Sequence, residues 1–214
     1  MTVDSDGKYW NSFYDNEKLG IEVIPSQFAA FVMGEFHDID NIIEVGCGVG
    51  RDALFFASMG KRVIGLDAST AAIRICESRS KRDSVNANFM KYDVSNNNYS
   101  DLELCSFYNF SSKTLVYARF FLHAIDEESE GDFFQLCQKL CGKRGLIALE
   151  FRTERDINQS KETGKHYRRY INPLDFMKRV VRHGFQVDYF VEGFGFAKYK
   201  QDDAHVARFI LSPV

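Results

Sequence analysis

Apolar positions along the chain follow two alternating rhythms. Short continuous runs, rich in Val, Ile and Leu, read as buried strands at Ile42–Val45, Arg62–Leu66, Ala87–Val94, Thr114–Arg119 and Gly145–Phe151. Helical spacing fills the gaps. A helix is expected from about Arg51 to Ser58, with Asp52 near its positive end and Gly60 at the left-handed position beyond its last turn. Ser69 caps a second helix whose far end carries Arg79, Lys81 and Arg82. Asp126 caps a third, which buries Phe133, Leu136, Cys137 and Leu140 and ends before Gly142. Asn172-Pro173, followed by Asp175, starts a fourth that stops at Gly184. Phe185, Val187, Tyr189 and Val191 then alternate as a sixth strand, and Val206–Leu211 makes a seventh.

Alternation of strand and helix predicts an α/β fold: a Rossmann-like, seven-stranded, mostly parallel sheet with helices on both faces. The last two strands have no helix between them, so they are expected to pair antiparallel at one edge, with the last strand antiparallel to the rest of the sheet. About forty residues precede the first strand. They hold the aromatics Tyr9, Trp10, Phe13 and Tyr14 and an apolar helix near Gln27–Phe36. The expectation is one domain over residues 1–214, with a helical cap at 1–40 and a core at 41–214 that carries a lid insertion near 152–171.

At 214 residues such a domain buries a core without metal or disulfide support. A net charge of −3 argues against a general nucleic-acid binder. The five cysteines (Cys47, Cys76, Cys105, Cys137 and Cys141) follow no metal spacing and read as buried thiols in a reducing cytoplasm. No apolar run approaches the ~20 residues that cross a bilayer, and the start "MTVDSDGKYW" lacks a signal-peptide pattern. The expectation is a cytoplasmic protein, monomer or homodimer, with no membrane partner and no metal.

The chemistry concentrates in "IIEVGCGVGRDALFFASMGKRVIGLD", Ile42 to Asp67. Gly46, Gly48 and Gly50 follow the first strand, where an open parallel sheet binds ligands, and Asp67 closes the second strand on the same edge. A carboxylate there can accept hydrogen bonds from both hydroxyls of a ribose. A dinucleotide turn calls for G-x-G-x-x-G, whereas this chain reads G-x-G-x-G and has Arg51 where the third glycine belongs. "EVGCGVG" with "GLDAS" resembles the first two motifs of the class I S-adenosylmethionine-dependent methyltransferases. That resemblance implies S-adenosyl-L-methionine as cofactor and S-adenosyl-L-homocysteine as product. Glu44, Gly46 and Gly48 would line the methionine part, with Cys47, Gly50 and Arg51 completing the loop. Asp67 would hold the ribose, Ala68 would lie against adenine, and Asp93 with Val94 would meet its amino edge. Asp93 reads equally as a loop-start carboxylate capping nearby amides. Tyr9, Trp10, Phe13 and Tyr14 would close over the cofactor, cationic sulfonium and aromatic faces being mutually attractive, or they bury the cap helix.

The fourth strand ends in "VYARFFLHAIDEE", where an acceptor would meet the cofactor. Arg119 and His123 are its candidate catalytic groups; His123 reads either as a base or as a structural tie to the next helix. After the fifth strand, residues 151–173 hold six Lys or Arg against three acids, a local net of +3. This suggests a lid for an anionic acceptor, with Arg152, His166, Tyr167, Arg168 and Arg169 as its binding residues; a solvated surface loop is the plainer reading. "EFRTERD", "HYRRYI", "YWNSFY", "PSQFAAFV" and "ARFFLHAI" are similar to small bacterial methyltransferases of capsule and surface-polysaccharide biosynthesis. The implied reaction is O-methylation of a small sugar- or nucleotide-linked acceptor. Methyl transfer to another small metabolite, a non-catalytic cofactor-binding module, and a nicotinamide-dependent oxidoreductase (opposed by Arg51) are the alternatives.

Overall fold

A computed structural model describes residues 9–12, 14, 24–96, 112–159, 161 and 166–214. Phe13 and Cys105, singled out above, lie outside the described residues. Five strands alternate with helices: β1 (Asn41–Val45), β2 (Arg62–Asp67), β3 (Ala87–Lys91), β4 (Thr114–Arg119) and β5 (Leu146–Arg152). The helices are α1 (Gln27–Glu35), α2 (Arg51–Ser58), α3 (Thr70–Asp83), α4 (Glu127–Cys141) and α5 (Pro173–Arg182). β6 (Phe185–Gly193) follows, then a two-rung hairpin, β7 (Lys198–Tyr199) and β8 (Asp202–Asp203), and finally β9 (Val206–Pro213). The main sheet has the order β3-β2-β1-β4-β5-β9-β6, parallel except for β9, which pairs antiparallel with both β5 and β6. The expected seven-stranded sheet with an antiparallel last strand is therefore observed.

The strands read as continuous apolar runs because both faces are covered. Successive residues leave on opposite sides. Ile42, Val63, Leu115 and Tyr117 pack with Phe28 and Val32 of α1 and Phe56 of α2. Ile43, Ile64, Val116 and Leu149 pack on the other side with Phe133 and Phe134 of α4 and Phe176 of α5. The helix of the N-terminal region is thus one of the layers that close the sheet. Its N-cap is Ser26, whose amide and hydroxyl both donate to buried Asp52, as does the Tyr117 hydroxyl at 2.9 Å. Burial alone would raise the Asp52 carboxyl, but the charges of Arg119 and Arg51 and the Ser26 hydrogen bonds outweigh it and lower its pKa. The expected caps Ser69, Asp126 and Asn172 all accept amide hydrogen bonds from the first turns of α3, α4 and α5.

Three local features differ from the sequence reading. β3 stops at Lys91 because the Asp93 carboxylate accepts from the Ser95 amide (3.1 Å) and hydroxyl (2.7 Å), turning the chain into a 3₁₀ helix at Val94–Asn96. The alternation expected along β6 breaks at a bulge between Val187 and Tyr189. Phe190 therefore takes the core side, 4.7 Å from the Phe209 ring, while Tyr189 turns to the other face beside Phe31. The β7–β8 hairpin was not expected, since two-residue strands carry no periodicity. Cys47, Cys76, Cys137 and Cys141 are buried free thiols, and burial pushes Cys141 up to about 12.

Phe209 stands where Phe151, Phe176 and Phe190 converge, with ring centroids at 5.6, 5.0 and 4.7 Å. Phe209→Ala is expected to lower the unfolding free energy by about 3–5 kcal/mol, measured as a fall in the urea midpoint at unchanged slope.

Candidate active site

β1 lies between β2 and β4, so the connections leaving it run in opposite directions, and a crevice opens at the carboxyl ends of these strands. The turn after β1 is drawn onto β2 by three backbone donors. Gly46 and Cys47 N–H donate to the Leu66 carbonyl (2.8 and 3.0 Å), and Gly48 N–H donates to Asp67 Oδ2 at 2.8 Å. Gly46 (φ +72°) and Gly48 (φ +52°) are glycine for two reasons. Both are left-handed, and a Cβ would come within 2.6 Å of the Phe121 ring or 2.7 Å of the Tyr14 hydroxyl. Asp67 Oδ1 accepts from Ser69 N–H at 2.8 Å. Each oxygen keeps a second acceptor site open. Burial raises the Asp67 pKa despite these two amides.

Among the described residues two cavities open along this edge. The smaller, of about 250 Å³, is bounded by Gly46, Asp67, Ala68, Asp93 and Val94, with Trp10 and Tyr14 above. The larger, of about 810 Å³, is bounded by Arg51, His123, Arg152, His166 and Arg168 and by the β7–β8 hairpin. Trp10, Arg119 and Phe120 line both. Phe120 has a left-handed backbone (φ +57°), uncommon for a bulky residue, and is held by its N–H to the Glu150 carbonyl at 2.7 Å.

Several expected site residues fall elsewhere. Arg51 lines the larger cavity, not the cofactor-sized one. The Cys47 side chain turns away to pack with Ile73 and Cys76, and Gly50 serves as the left-handed N-cap of α2. Glu44 is buried beneath the loop on neither cavity wall. Among the described residues one of its carboxylate oxygens has no hydrogen-bond partner, and burial together with nearby Asp52 raises its pKa strongly. Tyr9 lines neither cavity; it packs on Trp10 and His166. Tyr167 also lines neither. Arg169, expected among the acceptor-binding cations, is instead paired with buried Glu130 of α4, a carboxylate that it shares with Arg179.

Arg152 does reach the larger cavity, yet both its terminal nitrogens are engaged. One donates to Asp156 (2.6 Å) and Asp202 (3.3 Å), and the other to Asp202. It is a clasp that ties β5 to the hairpin. Arg119 donates to Glu150 (2.7 Å), whose second oxygen accepts from Arg208 (2.7 Å), and its guanidinium lies 4.4 Å from the Phe120 ring. His123 is buried, and its Nδ1 accepts the Arg152 N–H at 3.3 Å. That bond leaves Nε2 as the proton-bearing nitrogen of a neutral ring. Burial, reinforced by the charges of Arg152 and Arg168, holds the His123 pKa well below the ordinary histidine range.

Sequence reasoning missed Asn11, which accepts from the Ser69 hydroxyl at 2.7 Å and so seats the N-terminal aromatics over α3. It also missed Phe120, Phe121 and the hairpin residues Lys198, Tyr199 and Lys200. One signal was available for the hairpin. β6 runs parallel to β1, so the β6–β9 connection returns to the ligand edge of the sheet. Among the described residues no cluster of side chains could hold a metal ion, and no helix is long and apolar enough to cross a membrane.

Residues 42–145 match the family model described as "Methyltransferase domain". The fold is that of S-adenosylmethionine-dependent methyltransferases. Similar solved structures include one from Anabaena variabilis (TM-score 0.72, 19% identity, 99% of this chain and 95% of that one). Another is magnesium protoporphyrin IX methyltransferase from Synechocystis with bound S-adenosylmethionine (TM-score 0.69, 14% identity, 99% and 97%). In sequence the chain is 33% identical to uncharacterized methyltransferases of Schizosaccharomyces pombe over 63 residues, 29% of this chain. That match spans 42% of the length of these curated relatives.

Two outcomes follow from the clasp and the histidine. Arg152→Ala leaves Asp156 and Asp202 buried without their shared cation, and is expected to cost about 3–5 kcal/mol in urea denaturation. A depressed His123 pKa means that the unfolded chain takes up this proton first, near pH 6.5. Stability from this group is complete above about pH 6.5 and is lost as pH falls from there towards the folded value. The decline of unfolding free energy with acidification below about pH 6.5 is therefore expected to be shallower in His123→Gln than in the wild type.

Proposed function

We propose that this chain catalyses methyl transfer from S-adenosylmethionine to a small anionic acceptor. The observation that carries this reading is the meeting of two unequal cavities at Trp10, Arg119 and Phe120, with the smaller walled by the carboxylates of Asp67 and Asp93. The open acceptor sites of Asp67 suit two ribose hydroxyls, Ala68 presents a flat apolar face for adenine, and Asp93 with Val94 meets its amino edge. Gly46 and Gly48 allow the methionine part to approach the main chain. Trp10 and Tyr14 offer aromatic faces to a sulfonium. The bound cofactor supplies an electrophilic methyl group; the protein aligns the acceptor with it and excludes water.

Arg119 is fixed by Glu150 where the cavities join and orients the acceptor's reacting end. His123 presents a neutral ring whose Nδ1 is already used, so taking a proton from a hydroxyl would require a change of tautomer and of hydrogen bond. It serves as a positioning residue for an acceptor that either loses its proton elsewhere or reacts as a neutral amine. O-methylation within surface-polysaccharide assembly is the finer reading, supported by the similarity of the lid and N-terminal segments to that group of enzymes. The cytoplasmic assignment rests on the buried free thiols, which suit a reducing compartment. A non-catalytic cofactor-binding module would share the small cavity but has no use for the larger one beside it.

Purified protein is expected to bind S-adenosylmethionine saturably in calorimetry and to release S-adenosylhomocysteine when given its acceptor. Asp67→Ala should weaken the cofactor by roughly tenfold or more, since charge-assisted bonds contribute roughly 1.5–3 kcal/mol. Unchanged affinity in that variant would reject the ribose role.

A further inference from the structure

The larger cavity carries more positive charge than its ion pairs account for. Six Lys or Arg side chains stand on its wall, and Asp202 is the one carboxylate there among the described residues. Asp202 is already taken by Arg152. Arg119 is answered from behind by Glu150, Arg152 also by Asp156, and Arg51 by Asp52 at 3.4 Å. Lys198 and Lys200 differ. Among the described residues neither makes a salt bridge, and the Lys200 ammonium rests against the Tyr199 ring at 5.1 Å.

These two lysines sit on a hairpin that cannot hold itself together, since two-residue strands bury no core of their own. Contacts from the main body hold it instead: a buried pair of Arg152 with Asp202, and Arg208 Nη2 to the Phe196 carbonyl (2.8 Å); an exposed local bond from Gly195 N–H to Asp203 (2.8 Å) adds to them. The fold thus anchors a short polar hairpin and leaves two exposed cations on the cavity wall, Lys198 at the start of β7 and Lys200 in the turn that follows. Arg168 adds a third positive group from the β5–α5 segment. Its pKa is lowered by burial and by Arg152, a cost that a bound anion would relieve. Compact ammonium groups act as point charges, which suits a phosphoryl group of high charge density better than a planar carboxylate.

We infer that the β7–β8 hairpin is the anion-binding arm of the acceptor site, with Lys198 and Lys200 gripping a phosphoryl group of the acceptor. The acceptor therefore lies with its phosphorylated end at the hairpin and its reacting end beside Arg119 and Phe120. This assignment rests on the larger cavity being the acceptor site.

The test follows the backbone amides of Phe196 to Asp203 by ¹⁵N NMR in the whole chain. It is titrated with glucose 6-phosphate, uridine 5′-monophosphate, glucuronate, glucose and uridine. Both phosphates are expected to give saturable shifts, with Kd values about tenfold or more below those of glucuronate and the neutral compounds. The Lys198→Gln/Lys200→Gln double variant should lose about tenfold or more of that affinity and bind S-adenosylmethionine as the wild type does. Lys178→Gln, which removes a lysine charge outside the cavity, should leave the curves unchanged. The inference is overturned if neither phosphate shifts the hairpin, if glucuronate binds as tightly, or if the double variant behaves as wild type. A wild-type chain that takes the phosphates yet ignores S-adenosylmethionine would instead overturn the methyl-transfer reading and leave only the phosphoryl-binding role of the hairpin standing.

Discussion

The hydrogen bond from Gly48 N–H to the Asp67 carboxylate is the constraint on which the site depends. It joins the turn after the first strand to the end of the second, and the Gly46 and Cys47 amides on Leu66 reinforce it. Two left-handed glycines make the turn tight enough for those amides to converge. The rings of Phe121 and Tyr14 then press against the space where side chains would have been. Loop geometry, carboxylate position and the roof of the smaller cavity therefore form one mechanical unit, and changing any one disturbs the other two.

Ion pairs organise the rest of the edge. Residues 151–173 carry a local excess of cations, but most of it is neutralised by carboxylates from distant parts of the chain. Arg169 goes to Glu130 on α4, Arg155 to Glu192 on β6, and Arg152 to Asp202 on β8. The Arg169 and Arg152 pairs are buried, and such pairs are weak sources of net stability, because desolvation offsets most of the attraction, but breaking one is costly; the exposed Arg155 pair contributes little. Their consequence here is geometric. They hold the segment after β5, the helix α4 and the hairpin in one arrangement, and they decide which cations still face the cavity.

The same logic applies to His123. Placed beside Arg152, Arg168, His166 and Arg119, a buried imidazole stays neutral, and a backbone amide selects its tautomer. A residue whose intrinsic pKa suits acid–base work is thereby turned into a fixed hydrogen-bonding element. Chemical type alone does not assign the role; the surrounding charge does.

How much was legible beforehand divides along a physical line. Local signals survive folding unchanged: continuous apolar runs between capped helices, glycines after β1, an acid closing β2. They specified the sheet, the helix starts at Ser69, Asp126 and Asn172, and the placing of Gly46, Asp67, Ala68 and Asp93 on one edge, because each depends on neighbours within a few residues. Tertiary structure decided everything that depends on which distant groups meet. The Asp188 bulge exchanged Tyr189 for Phe190 in the core. Glu130 drew Arg169 away from the cavity, and Asp202 turned Arg152 into a clasp. A hairpin too short to show any periodicity brought Lys198 and Lys200 to the site. Coulombic and packing partners 30 or more residues away leave no trace in local pattern, so the backbone of the site could be read from the chain and its charge could not.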